Sequence, residues 1–427
     1  MNSFTRFLGI TEKEWPRCLS MALLFFLLMM GWGFGRAGRD AFFIVEAGPE
    51  NLPYMYIINA ILMVICSAFY AKLVDRLRRH SFLIYQLILF SIAVITLRLL
   101  VPFRFGWMPY GIFSLSEIIT LFFFMHFWTY ANDIFDPREG KRIFPLIGGA
   151  GLMGNVLGST FTKPIVELTG TVDLLLVWVA TMVISIPATL YANRTAEAAG
   201  IGSTESGEEK QLSFRESVTS VWSIKLIRTL TFLSLPMWLT VYFVDFQFFL
   251  AMDEVFTDQD ALSGFLGVFN GITSLLGFAI QMFITTRLIK RFGVGTAVLV
   301  HPLSVTLGSV GLVIRSFLPV ATPRIFSFRG FSAVFAKFSD NALFYSVGES
   351  ATQLLYNAVP EEKRGQSRAF VAGTVEPLFT AVAGIALIIF TAVTVPIQVL
   401  SIITLVVSLS WVYLTRRVKA DYVSALV

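Results

Sequence analysis

Residues 17–35 read RCLSMALLFFLLMMGWGFG. After Arg17 the run carries no charge until Arg36, and most of its side chains are aliphatic or aromatic. A helix needs roughly 20 predominantly apolar residues to cross the hydrocarbon of a bilayer, so this stretch reads as a membrane span. Similar runs follow at roughly 52–73, 82–101, 109–131, 145–163, 173–192, 230–250, 263–284, 295–315, 331–355, 369–392 and 396–414. The composition agrees. The 427 residues are 56% hydrophobic and 14% charged, whereas a soluble domain carries about 25% charged residues. Twelve spans use about 240 residues, leaving short loops and no sizeable extramembrane domain. The expected fold class is all-α integral membrane, with twelve transmembrane helices in two six-helix halves. The tenth run is the most interrupted by polar residues.

The longest polar stretch, about 194–217, contains Arg194, Glu197, Gly200, Glu205, Glu208, Glu209 and Lys210. It reads as a linker. The expected organisation is an N-terminal half over 1–193, a cytoplasmic linker over 194–228 and a C-terminal half over 229–427. If the N-terminus is cytoplasmic, 24 of the 33 Lys and Arg residues fall on the inner side, which the positive-inside rule favours. Both termini are therefore expected inside, in a bacterial inner membrane. The net charge of +5 is spread over short inter-span clusters instead of one soluble face, which argues against a nucleic-acid polymer as partner. Cys18 and Cys66 lie in apolar runs, and His80, His126 and His301 lie far apart. No disulfide framework, metal site or cofactor is expected. The first run ends at Arg36 without a small-residue cleavage site, so it is not read as a removable signal.

An internal repeat links the halves. Span two is followed by Ala71-Lys72-Leu73-Val74-Asp75-Arg76-Leu77-Arg78-Arg79, and span eight by Thr286-Arg287-Leu288-Ile289-Lys290-Arg291-Phe292-Gly293. Both resemble the G-x-L-x-D-R-x-G-R/K loop signature of the major facilitator superfamily, at its usual place. The loops after spans four and ten also echo each other, with Lys141 and Arg142 in one and Lys363 and Arg364 in the other. Asp75, Arg76, Arg79, Lys141, Arg142, Lys290, Arg291 and Arg364 are the candidate gating residues. In span five, Gly154 and Gly158 form a G-x-x-x-G, which reads as close helix packing. The Walker lysine that a phosphate loop needs is missing.

Ionisable residues at membrane depth cost at least about 2.5–3.5 kcal/mol each, so they usually pair or face a wet cavity. At the outer end of span one, Arg36, Arg39 and Asp40 share a helical face and suit an anion clamp with its counter-ion. The alternative is that the arginines snorkel to headgroups. Glu117 and His126 lie in span four, Asp245 and Gln247 in span seven. Lys337, Asp340, Asn341, Glu349 and Gln353 follow along span ten, and Glu376 lies in span eleven. Lys337 and Asp340 also suit a plain ion pair. Asp340, Phe344 and Gly348 form a stripe along span ten. His126 reads as an interhelical hydrogen-bonder.

Phe127-Trp128-Thr129-Tyr130-Ala131-Asn132-Asp133, followed by Glu139-Gly140-Lys141-Arg142-Ile143-Phe144-Pro145, resembles the F-W-x-x-A-N … E-A-K-R-F-Y segment of the ATP/ADP translocases. That family is a distant branch related to the major facilitators. Arg39-Asp40, ahead of Leu52 and Pro53, is similar to its Lys-Asp; Glu117 and Asp245 are placed like its acidic residues of spans four and seven. Leu355-Tyr356-Asn357-Ala358-Val359-Pro360 also resembles it. The chain departs at Phe248 and Phe249, and at Phe379 and Thr380 after Glu376-Pro377-Leu378, where the family has lysines. The resemblance implies a secondary transporter, not an enzyme, for a small anionic metabolite, with nucleotides first. Arg36, Arg39 and Lys337 would bind anionic groups; Glu117, Asp245 and Asp340 would be counter-ions or proton-coupling groups. Two alternatives stay open at this level: a proton-coupled carrier of a small neutral or cationic solute, and a non-transporting membrane scaffold or lipid-binding protein.

Overall fold

The computed structural model describes residues 11, 14–74, 78–199, 222–318, 328–393 and 395–426. Among the described residues, twelve helical segments follow one another: α1 Trp15–Ala47, α2 Leu52–Val74, α3 Arg79–Leu100, α4 Met108–Ile134, α5 Pro137–Thr169, α6 Leu174–Ala198 and α7 Lys225–Val255. Then come α8 Gln259–Phe292, α9 Val294–Phe317, α10 (Phe328–Leu343, Phe344–Gly348, Glu349–Leu355), α11 (Glu361–Phe370, Val371–Val375, Glu376–Ala392) and α12 Ile397–Leu426. Eleven of them are long and apolar enough to cross a membrane. The remaining helix is α10, where Lys337, Asp340 and their neighbours lower the hydropathy. The fold is an all-α integral membrane fold.

Two differences from the sequence reading concern helix ends. The first span does not stop near residue 35 but runs to Ala47, so Arg36, Arg39 and Asp40 lie inside a helix. It ends where Gly48 takes a φ of 85°, which a Cβ would strain, ahead of Pro49. Likewise α6 reaches Ala198 and α7 begins at Lys225. Both ends of the 194–228 stretch are therefore helical, and 200–221 lies outside the described residues.

The described chain sorts into two compact units. The first comprises Met1–Ala47, Ile65–Gly207 and Asp258–Leu275, and the second Gly48–Val64, Glu208–Thr257 and Leu276–Val427. In the first unit, small residues set the packing of α1. A Cβ on Gly154 or Gly158 of α5 would fall on the carbonyl oxygens of Phe26 and Met30 of α1. On its other flank, α1 presents Gly31 and Gly35 to Trp178 of α6. The G-x-x-x-G thus packs helices, as small residues do in membranes. An aromatic cluster fills the rest: Phe25 of α1 stacks on Phe127 of α4 at 4.3 Å between centroids, with Trp128 edge-on.

In the second unit, α8, α10 and α11 are each interrupted by a π-helical segment: Ile280–Thr285, Phe344–Gly348 and Val371–Val375. Such segments loosen the regular ladder and recur at functional sites. Large apolar side chains cover the outer faces; Ile61, Leu89, Leu99, Ile389 and Val406 are all more than half exposed. This is a lipid-facing surface, since in water so much exposed aliphatic area would aggregate.

Candidate functional site

The first unit buries a charge cluster between α1 and α4. Tight packing of α1 on α5 and α6 turns Arg39 toward α4, where its guanidinium pairs with Asp40 at 2.9 Å and with Glu117. The same guanidinium lies 4.2 Å from the centre of the Phe113 ring, a cation–π contact strengthened by desolvation. Arg39 is 6% exposed and Asp40 5%, so Arg39 does not snorkel. Arg36 is half-buried, 3.8 Å from Asp40 and over the Trp32 ring. Two cations meet two carboxylates, and the cluster is electrically balanced.

The second unit buries another. Lys337 of α10 places Nζ 2.7 Å from Asp245 of α7 and 3.7 Å from Asp340 on its own helix. Tyr56 of α2 donates to the second oxygen of Asp245 at 2.7 Å, and its ring packs on Tyr242. Beyond Asp340, His301 of α9 brings Nε2 within 3.2 Å of Oδ1. Asp340, Phe344 and Gly348 all meet His301, so the stripe read along span ten exists, carried through a π segment. Two carboxylates share one ammonium here.

His301 also lines a cavity of about 360 Å³ within this unit. Its walls come from α7, α9, α10, α11 and α12, and include Trp238, Gln353, Arg368, Glu376 and Trp411. Two of the sequence candidates, Gln353 and Glu376, therefore stand together with His301. Two of the three π segments described above, through Phe344 and Gly348 and through Val371, contribute to the wall.

Gln247 does not join Asp245: it is fully buried, donating to Thr404 Oγ1 at 2.9 Å and accepting from Ser401 at 2.7 Å. Two residues along a helix are about 200° apart, so one faces the ion cluster and the other brackets α7 to α12. The side chain of Asn341 is half-buried and makes no hydrogen bond among the described residues. The side chain of Glu349 lies outside the described residues.

The loop candidates sit at the helix ends rich in basic residues. Arg79 pairs with Asp133 at 2.8 Å, Arg142 with Glu14 at 2.9 Å, and Arg17 with Glu139 at 3.0 Å. Burial pushes the Glu14 carboxyl up, but hydrogen bonds from Thr11 and the charge of Arg142 outweigh it and hold the group below its usual 4.5. His126 donates from Nε2 to the Arg79 carbonyl and pairs at Nδ1 with Tyr70 Oη, as an interhelical bracket. Arg364 donates to the carbonyls of Tyr356 and Val359, capping the end of α10. Lys290 and Arg291 end α8, with Arg291 near the Phe292 ring. Asp75 and Arg76 lie outside the described residues, as does the side chain of Lys141.

The sequence model of the TLC ATP/ADP transporters matches residues 91–422. The chain belongs to this family. No sequence among the curated proteins matches it. Among solved structures, the nucleoside transporter NupG is similar with a TM-score of 0.68 at 12% identity, covering 95% of this chain and 99% of that one. A bacterial homologue of the iron transporter ferroportin, in an inward-facing state, gives 0.62 at 14% identity, covering 93% and 98%. At such identities the likeness shows the fold alone. The family match shows a membrane transporter. The segment that resembles the ATP/ADP translocases most, residues 127–145, is largely structural in this TLC-family chain: Phe127 in the aromatic core, Asp133, Glu139 and Arg142 in ion pairs.

Tyr56, Tyr242 and His301 escaped the sequence reading as site residues. The tyrosines carry no periodic signal in an aromatic-rich chain. His301 lay in an apolar run and lacked metal-ligand spacing, and its carboxylate partner is 39 residues away.

Proposed function

We propose that the protein is a secondary transporter that exchanges anionic nucleotides by alternating access of its two halves. Family membership supplies the substrate class. The observation that carries the reading in this chain is that two of its buried cations, Arg39 and Lys337, are each held by two carboxylates. An unpaired buried charge costs several kcal/mol. In an anion site the internal carboxylates stand in for the substrate when it is absent, and the phosphate takes their place when it binds. Arg39 suits this role because its planar fork pairs with phosphate as it does with carboxylate.

The number of cations bears on the substrate. The positions where the translocases have further lysines hold Phe248 and Phe249, both buried in the core, and Thr380, which donates to Tyr242. With fewer compensating charges, the favoured order is AMP and ADP ahead of ATP. Counter-exchange of labelled AMP, ADP and ATP into proteoliposomes tests this. Absence of saturable exchange for all three, with correctly inserted protein, sinks the nucleotide reading.

A second reading, proton-coupled carriage of a small neutral or cationic solute, is favoured by the surplus carboxylate around Lys337. Uptake driven by an imposed pH gradient without counter-substrate, and lost in Glu117→Gln or Asp245→Asn, would support it. The charge bias of the loops supports an orientation with both termini cytoplasmic, in a bacterial inner membrane.

A further inference from the structure

We infer that His301 is a proton acceptor, loaded from the cavity it lines, whose charge state sets how strongly Lys337 binds an anion. The inference rests on the reading of Lys337 as an anion-binding cation and adds to it a proton site with no assigned role. Its basis is the geometry of one buried ring. Asp340, beside the Lys337 ammonium, is an acceptor, so the hydrogen bond from His301 Nε2 at 3.2 Å places the proton on Nε2. In the neutral ring Nδ1 is then an unprotonated acceptor. That atom has no hydrogen-bond partner among the described side chains, although His301 is only 2% exposed. It lies against Gly348, where a Cβ would approach it to 3.0 Å, and Gly348 is itself part of the cavity wall.

The surroundings are consistent with a proton site. From α10, Asp340 faces His301 directly and Lys337 stands behind it. From α7, Asp245 is reached through Lys337, and from α2, Tyr56 through Asp245. From α11, Glu376 and Arg368 share the cavity with His301, and α12 contributes Trp411, whose ring lies 4.9 Å away. Counting Lys337, Asp245 and Asp340, the cluster holds one negative charge in excess when His301 is neutral. A proton passing from cavity water to Nδ1 balances it, with hydroxide or buffer base left in the aqueous phase. The imidazolium keeps its Nε2–H on Asp340 and now also carries charge. Asp340 depends less on Lys337, and the ammonium is more available to a bound anion.

Proton and anion are then linked, each raising the affinity for the other by the same factor. ADP affinity for the purified full chain is expected to rise on acidification from pH 8 to pH 6, by up to about tenfold per pH unit for a single linked proton. In His301→Gln, where the amide still reaches Asp340, that slope should vanish. A slope unchanged in the variant overturns the inference while leaving the nucleotide reading intact. A second measurement needs no ligand. The chain has three histidines, so 15N-histidine NMR resolves each ring, and His301→Gln assigns its signals. Nδ1 is expected to be unprotonated in the neutral ring and to take up a proton on acidification. An Nδ1 that stays in one state however the pH is varied, or carries the proton in the neutral ring, overturns the inference. A titrating Nδ1 in a protein that binds no ADP at any pH upholds the proton site and removes the nucleotide reading instead.

Discussion

The Lys337 ammonium lies 2.7 Å from the Asp245 carboxylate and so ties α10 to α7 across the second unit. Removing the cation alone leaves half-buried Asp245 and buried Asp340 without their shared counter-charge, held by the donors Tyr56 and His301. Lys337→Met is expected to lower stability by about 3–5 kcal/mol. Adding Asp245→Asn should recover part of that loss, because the uncompensated charge is halved. Thermal unfolding of the single and double variants in detergent measures the coupling; simple additivity would mean that the pair is not an energetic unit.

Arg39 bonds Asp40 and Glu117 at once. A lysine keeps the charge but not the fork. Arg39→Lys is expected to insert and fold but to lose at least about tenfold in exchange rate, equivalent to about 1.4 kcal/mol. Rates in proteoliposomes, normalised to inserted protein, check this.

Gln247 brackets α7 to α12 through Thr404 and Ser401. Gln247→Leu removes two hydrogen bonds, while Ser401 and Thr404 keep the carbonyls of Ile397 and Leu400 as acceptors, and is expected to cost about 1–3 kcal/mol. Because the residue points away from Asp245, the substrate KM should stay within about twofold, a factor worth roughly 0.4 kcal/mol. A large change in KM with little change in melting would return Gln247 to the site.

Gly158 faces the Met30 carbonyl with no room for a Cβ. Gly158→Leu forces α1 and α5 apart and is expected to cost about 1–3 kcal/mol or more. Fluorescence-detected size exclusion should show reduced monodisperse yield, and Gly148→Leu, with nothing within 4 Å of its Cβ position, should not.

Glu14 gives a dependence on pH. Its carboxyl is held below 4.5 in the folded protein by Thr11 and Arg142, against the effect of burial. A depressed carboxylate stabilises the fold at pH values above 4.5, and the contribution fades as pH falls through the lower folded value. The difference in melting temperature between the wild type and Glu14→Gln should therefore be present at pH 7 and close as the pH falls below 4.5 through the lower folded value. A difference that persists at the lowest pH would show that shape, not charge, is lost.

The twelve helices and the residues that interrupt them were legible from hydropathy alone, since a bilayer demands long apolar runs and penalises every exception. The exceptions Arg39, Glu117, Asp245, Lys337 and Asp340 are the same residues that form the two buried clusters. Helical spacing also predicted that Arg39 and Asp40 share a face, and that Gly154 and Gly158 pack closely. What spacing does not carry is which helix a face meets. Glu117 reaches Arg39 across 78 residues, and Tyr56 reaches Asp245 across 189. Those partners depend on how each helix is rotated about its axis, which is set by the glycine and aromatic contacts between helices. Gln247 illustrates the limit: it has the polarity of a site residue and lies two positions from one, yet rotation about α7 sends it to α12. His301 illustrates the converse, a single histidine in an apolar run until folding sets it between a carboxylate and a cavity.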